Sequence, residues 1–188
     1  MATKHNLAMH ELLAVMAGES IDEVRAQTVL RDRVQREAQK YVNAPVASWP
    51  FRTIEWDVSR GAQRFSLDGC TKKNFEKFHP KGFELAWVNT SSLDSLLCAF
   101  SHRTDDELWA VGSTSRLAYL IAYIADGGKV SPPIIKPLED RTAIITGGHH
   151  RYAIAWALRL SKIPVCAYPK HTGRLSQLLN LDWTTVDA

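Results

Sequence analysis

The residues with most chemistry in them stand in one run, Ala143-Ile-Ile-Thr-Gly-Gly-His-His-Arg-Tyr-Ala-Ile-Ala-Trp-Ala-Leu, closed by Ile163-Pro-Val. A short β-branched segment stops at Gly147-Gly148, after which Ala153, Trp156, Ala157 and Leu160 recur at helical spacing. The pattern predicts a strand, a tight glycine turn and a helix N-terminus. That junction suits an anion, because the first helical N–H groups point out of the helix end and the macrodipole adds partial positive charge there. Two glycines let consecutive amides converge and keep side chains out of the path of a phosphate. His149, His150 and Arg151 add charge and hydrogen bonding at the same point, and a guanidinium fork matches phosphate oxygens better than an ammonium does. Either histidine can act as a general acid or base near neutral pH, or can instead cap its own helix.

Two other groups could serve the same site. Glu55 and Asp57 lie at i and i+2 in a strand predicted over Phe51 to Val58, so both carboxylates share a face. Paired acids suit Mg²⁺ ligation or activation of a water, and Glu55 is the first candidate; surface strands also carry such pairs without function. The stretch Cys70 to Phe83 interleaves Lys72, Lys73, Lys77 and Lys81 with Phe75, Phe78 and Phe83. Lysines release counterions from phosphates and exposed rings stack on bases, which makes this the candidate DNA contact. The competing reading has the phenylalanines as core anchors and the lysines as solvated charges.

Gly147-Gly148-His149-His150-Arg151, the Ala-rich helix after it, Ile163-Pro164-Val165 and the upstream Pro132-Pro133-Ile134-Ile135-Lys136-Pro137 resemble the signature of the ParB and sulfiredoxin superfamily, over about residues 83 to 170. The resemblance implies a compact α/β fold, a mixed sheet with surrounding helices, whose Gly-His-Arg element cradles nucleotide phosphates. Carried onto this chain, the implied nucleotide contacts are Arg116, at the start of the helix facing the nucleotide, with Thr146, Gly147, Gly148, His149, His150 and Arg151. Tyr123 stands where relatives often carry Ser or Thr. Sulfiredoxins place a catalytic cysteine directly before the His-Arg pair. His149 holds that position here, so the thiolate needed for sulfinic acid reduction is missing. Chromosome-partition ParB proteins add an arginine-rich box, a helix-turn-helix domain and a dimerisation tail, for which the roughly twenty residues after Val165 leave no room.

The chain is more similar to small stand-alone members encoded on conjugative plasmids, the fertility-inhibition proteins of the Osa and FiwA type. That resemblance implies hydrolysis of ATP and cleavage of DNA by one fold, used to suppress transfer of DNA or effector protein through a type IV secretion system. The implied partners are ATP, DNA and a secretion coupling protein or exported nucleoprotein substrate. From other functional classes, a nucleotide-dependent adaptor without chemistry and a small-molecule kinase of the same fold remain open.

The elements that must position these residues are legible in outline. Ser20-Ile-Asp-Glu23 is a capping-box pattern opening a helix to about Val42, with Leu30, Val34 and Tyr41 on one face and five basic residues around it. It dominates a predicted N-terminal helical extension over residues 1 to 45, followed by the α/β domain over 46 to 188. A strand is expected over Phe83 to Val88, a helix over Leu93 to Phe100, and a short one over Asp105 to Trp109. Leu117, Leu120, Ile121 and Ile124 form the buried face of a helix that Gly127-Gly128 stops. Leu175 to Trp183 reads as a short amphipathic helix closing the core.

A 188-residue chain that is 45% hydrophobic can bury a sizeable core, and its net charge of +3 permits nucleic-acid contact without demanding it. Cys70, Cys98 and Cys166 lack the spacing of a zinc site and are odd in number. The longest apolar stretch, Leu117 to Ala125, falls short of the ~20 residues that span a bilayer, and the N-terminus lacks a signal-peptide apolar region. A cytoplasmic protein is expected, recruited to the inner membrane by a secretion complex.

Overall fold

The computed structural model describes residues 8 to 184 apart from 17, 19, 68, 105, 106 and 111. Its centre is a mixed five-stranded sheet in the order β3-β2-β4-β1-β5, with β1 at Glu84–Asn89, β2 at Ile134–Pro137, β3 at Ala143–Gly147, β4 at Lys162–Ala167 and β5 at Asp182–Thr184. β1 runs antiparallel to β4 and to β5, β2 runs antiparallel to β3, and β2 and β4 are parallel, with Ile134 beside Cys166 and Ile135 beside Ala167. Period-two alternation divides the side chains between two faces. Ala86, Val88, Ile135, Ala143, Ile145, Ile163, Val165 and Ala167 point into the main core. Leu85, Ile134 and Cys166 point the other way, against Phe75 and Phe83.

Helices fill both sides. α1 (Met9–Met16) and α2 (Ile21–Ala38) precede α3 (Lys72–Phe78), α4 (Thr90–Leu96), α5 (Thr114–Ala125), α6 (His149–Ala157) and α7 (Thr172–Leu178). Phe75 carries α3 onto the second face of the sheet, whereas Leu93, Leu117, Ile121, Ile154 and Leu175 close the first. α2 docks on α5 through small residues, Val34 and Ala38 against Ala118 and Ala122, and an Arg33–Asp126 ion pair closes the contact. No helix among the described residues is long and apolar enough to cross a membrane.

α5 buries Leu117, Ile121 and Ile124 as expected while Leu120 stays half-buried, and Gly127 ends the helix at φ 82°, donating to Ile124 O while Gly128 N reaches Tyr123 O at 2.9 Å. Those paired bonds form a Schellman stop, which glycine accommodates because it has no Cβ to clash at positive φ. Four expectations need correction. α2 starts after Ser20, but the Ser20 side chain makes no capping bond, and after Ala38 the helix tightens into a 3-10 turn over Gln39–Tyr41. The segment from Phe51 to Val58 is not a strand: only Trp56 bridges, to Val130, because Trp49 and Ile54 plug the core and Arg52 folds back onto the carbonyls of Ala47, Trp49 and Phe51. The C-terminal helix stops at Leu178, and Trp183 pairs across to Ala86 as part of an edge strand. The short helix expected from Asp105 begins outside the described residues, and α4 ends at Leu96 rather than Phe100.

Candidate functional site

β3 is a run of β-branched residues that ends where Gly147 comes against another part of the backbone. A Cβ on Gly147 would collide with the carbonyl oxygen of Ser66, so this position accepts only glycine without a shift. Ser66 is itself pinned, its Oγ donating to Pro132 O at 2.8 Å. Gly148 follows as the N-cap of α6 at φ 85°, and a Cβ there would lie 2.9 Å from Pro133 Cα and 3.1 Å from Arg151 Cζ. Both glycines are therefore steric requirements of the strand-to-helix junction. The first intrahelical bond runs from Tyr152 N to Gly148 O at 3.0 Å, and the amides of the preceding turn point out of the helix end.

The start of α5 faces the same space. Ser113 caps that helix by accepting from Arg116 N at 3.3 Å, and Ser113 and Arg116 line one cavity of about 850 Å³ together with Thr146, Gly147, Gly148, His149, His150 and Arg151. Two helix N-termini and an exposed arginine thus converge on a volume of small-ligand size. Every residue that the sequence assigned to nucleotide contact belongs to this lining. Phe100, Leu108 and Leu120 supply its apolar wall.

The side chains divide the work unequally. His149 is set edge-on against Phe100, with ring centroids 5.7 Å apart. His150 leans on the loop before α5, where a Cβ on Gly112 would sit 3.0 Å from its Cε1. Thr146 Oγ1 is 3.5 Å from Ile134 O. Arg151 is only 8% exposed, and its Nη1 donates to Ser131 O at 2.8 Å and to Ser131 Oγ. Its guanidinium binds the loop to the chain segment before β2, a positioning task that the sequence did not suggest. Arg116, exposed, is the more accessible cation of the two.

Glu55 and Asp57 are not brought to this cavity. Glu55 pairs with Lys129 at 2.5 Å on the surface, whereas Asp57 accepts from Ser59 N and Oγ at 3.1 and 2.7 Å. Asp57 instead lines a second cleft of about 670 Å³ between α2 and α5, with Tyr119, Tyr123 and Lys129, and Arg151 stands in the wall between the two spaces. Burial and the nearby Asp57 carboxylate push the Tyr123 phenol up. Among the described residues no group of three or more His, Cys, Asp or Glu side chains gathers as a metal cage. The carboxylate that does line the loop cavity is Glu107. It accepts from Thr104 N at 2.9 Å, and that hydrogen bond holds its pKa below the usual carboxylate value. Its signal was available in the sequence as Thr-x-x-Glu, a capping-box spacing.

A buried polar network under α6 was not legible. Tyr152, fully buried, donates to Asp94 Oδ1 at 2.6 Å, and the other Asp94 oxygen lies 2.9 Å from His102 Nε2. Burial first, then the carboxylate, drives the Tyr152 phenol strongly upward, so it remains a donor throughout the neutral range. This anchor fixes the helix whose N-terminus opens into the cavity. On the opposite face of the sheet, Lys72, Lys73, Lys77 and Lys81 are all exposed, but Phe75 and Phe83 are buried in the second core and only Phe78, 65% exposed, is available to a ligand. Phe75 and Phe83 are thus core anchors and the four lysines solvated charges, with Phe78 the one ring of the three left exposed.

The class that fold and cavity define is an α/β protein with a mixed five-stranded sheet and an anion-suited strand–Gly-Gly–helix junction. Comparison with protein-family models, with curated proteins and with solved structures gives no match for this chain.

Proposed function

We propose that this chain binds ATP by its phosphates at the loop from Thr146 to Arg151, hydrolyses it with Mg²⁺, and cleaves DNA, so suppressing transfer of DNA or effector protein through a type IV secretion system. The observation that carries the nucleotide reading is the convergence of the α5 and α6 N-termini with Arg116 on one cavity of about 850 Å³. Oriented amides and a guanidinium favour the charge of a polyphosphate and favour still more the charge that builds in phosphoryl transfer. The resemblance of Gly147 to Arg151 to the ParB and sulfiredoxin signature supports a nucleotide over a simple anion; DNA cleavage and secretion interference rest on that resemblance alone.

In this reading Glu107 takes the carboxylate role first given to Glu55, because it lines the cavity while Glu55 pairs with Lys129. One ionised carboxylate fits Mg²⁺, which ordinarily takes one or two carboxylates beside phosphate oxygens and waters, and the ion supplies neutralisation of phosphate charge. His150 is the candidate to accept the proton of an attacking water, and His149 to hold the Phe100 wall. The test is phosphate release from ATP with Mg²⁺, with plasmid nicking read in the same reactions. Arg116→Ala and Glu107→Gln should both lose release, and Glu55→Ala in the same series decides between the two carboxylates. Undiminished release in Arg116→Ala would remove the cavity from the reading.

A second reading, a nucleotide-dependent adaptor, draws on one specific feature. Met9, Leu12, Leu13 and Met16 recur at helical spacing along α1 and are 71%, 43%, 58% and 71% exposed, an apolar stripe of the kind that lays a helix into a partner's groove.

A further inference from the structure

The sheet has a second chemically distinctive end. Because β3 runs antiparallel to β2 with Gly147 opposite Ile134, the phosphate loop lies where β2 begins. The carboxyl ends of β2 and β4, which run parallel, lie at the other end. Alternation puts Lys136 on the same face as Ile134, and Tyr168 on the same face as Cys166, which is the face covered by α3. The parallel register pairs Ile134 with Cys166 and Ile135 with Ala167, and Lys136 and Tyr168 are the residues that follow those pairs in the two segments.

We propose that this surface, built from Lys136, Tyr168, Lys170 and Arg174 and continuous with Lys77 and Phe78 of α3, binds single-stranded nucleic acid as an accessory site separate from the loop cavity. It extends the DNA reading above but is independent of hydrolysis at the loop. A chain of rings joins the two parts: Phe75 to His79 at 5.4 Å, His79 to Tyr168 at 5.5 Å, and Tyr168 to His171 at 6.1 Å, with Phe83 edge-on to Tyr168 at 5.0 Å. Ammonium groups stand over rings at both ends, Lys77 at 5.3 Å from Phe78 and Lys170 at 5.9 Å from Tyr168. Arg174 ties α7 to the end of β2 by donating to Leu138 O at 2.6 Å. The cations converge closely enough to act on one imidazole: burial first, then Lys170, Lys136 and Arg174, makes protonation of His171 less favourable.

Phe75 and Phe83 are the buried support of this surface, and the lysines beside exposed Phe78 and half-buried His79, Tyr168 and His171 match the chemistry of an unpaired strand, whose phosphates need neutralising and whose bases offer faces for stacking. Phe78, 65% exposed beside Lys77, is the platform a paired duplex would leave unused. The sequence showed only the α3 half of this surface. Lys136 and Lys170 are separated from it in the chain and are joined to it by strand register.

The test is fluorescence anisotropy of a labelled 20-nucleotide single strand titrated with the full chain, without ATP or Mg²⁺. The Lys136→Glu, Lys170→Glu double variant should bind at least tenfold more weakly, with a log–log salt slope shallower by about 1.4, the loss of two phosphate contacts. The Arg31→Glu, Lys162→Glu double variant, reversing two exposed charges elsewhere, should lose less than threefold. Phe78→Ser should weaken the single strand several-fold and leave an unlabelled duplex competitor unaffected. Binding by the Lys136, Lys170 variant equal to the unmodified chain, an equal loss in the Arg31, Lys162 control, or no binding by the unmodified chain would each overturn the proposal. Because the titration holds no nucleotide, an inactive loop would leave its outcome unchanged.

Discussion

The two ends of the central sheet present anion-suited surfaces made of different material. At the start of β2, the loop end uses main chain: two helix N-termini, a glycine pair forced by the Ser66 carbonyl and Pro133, and side chains held by internal bonds, as Arg151 is by Ser131. At the carboxyl ends of β2 and β4, side chains do the work, with Lys136, Lys170 and the rings around Tyr168 carried on regular strand and turn geometry. A main-chain site is preorganised and intolerant of added volume. A side-chain site tolerates volume but answers to charge and to salt. The contrast tells which perturbation each end should feel.

The largest expected effect is at the loop. Gly147→Val drives side-chain atoms into the Ser66 carbonyl, and should cost about 3 kcal/mol in urea unfolding and abolish phosphate release. Gly173→Ala in α7, where a Cβ meets nothing within 4 Å, should instead gain roughly 0.5–1 kcal/mol from helix propensity. Equal behaviour of the two glycines would mean that the loop end is no less tolerant of added volume than the other end of the sheet. Arg116→Ala should lower kcat/KM for ATP by about 100-fold, since it removes one donor from a preorganised set, whereas the Lys136→Glu, Lys170→Glu variant should hydrolyse ATP at the unmodified rate.

Tyr152→Phe comes next. It strips the Asp94 carboxylate of its buried donor and should destabilise the chain by about 1–3 kcal/mol, read from urea denaturation. A change below half a kilocalorie would mean that α6 is not anchored there. At the other end the effect of pH is smaller and has a definite sign. Burial and the three cations keep His171 below its ordinary pKa in the folded chain. Below about pH 6.5 the unfolded chain takes up that proton first, so stability declines with acidification. Bound phosphates offset the cations, so single-strand affinity should rise a few-fold between pH 7.5 and 6, measured by the same anisotropy titration. The smallest effect is chemical: burial pushes the Cys166 thiol up to about 12, and iodoacetamide at pH 8, followed by mass spectrometry, should leave it unmodified in the folded chain.

How much of this was legible in the sequence follows from how local each signal is. The glycine junction and α5 were readable because their determinants sit within a few residues: a β-branched run, two glycines, an i, i+3, i+4, i+7 stripe and a Gly-Gly stop. Phe51 to Val58 misled because its apolar residues serve as plugs in the core, and strand pairing depends on a partner that alternation alone does not provide. The pairing of Tyr152 with Asp94 spans 58 residues, and the burial of Arg151 against Ser131 spans 20; neither leaves a periodic trace. Glu107 was overlooked although its Thr-x-x-Glu spacing was present. The basic surface was half visible for the same reason: α3 carries its lysines in one short stretch, while Lys136 and Lys170 join it only through the register of β2 and β4.

Whether the loop cavity holds nucleotide phosphates is read with fewest intervening steps by equilibrium binding. A fluorescent ATP analogue titrated against the full chain, the Arg116→Ala variant and the Lys136→Glu, Lys170→Glu variant separates the two ends of the sheet in one experiment. The unmodified chain should bind saturably, Arg116→Ala should lose tenfold or more, and the lysine variant should not change. Binding that is indifferent to Arg116 but falls with Lys136 and Lys170 would contradict nucleotide binding at the loop, placing the nucleotide at the wrong end of the sheet.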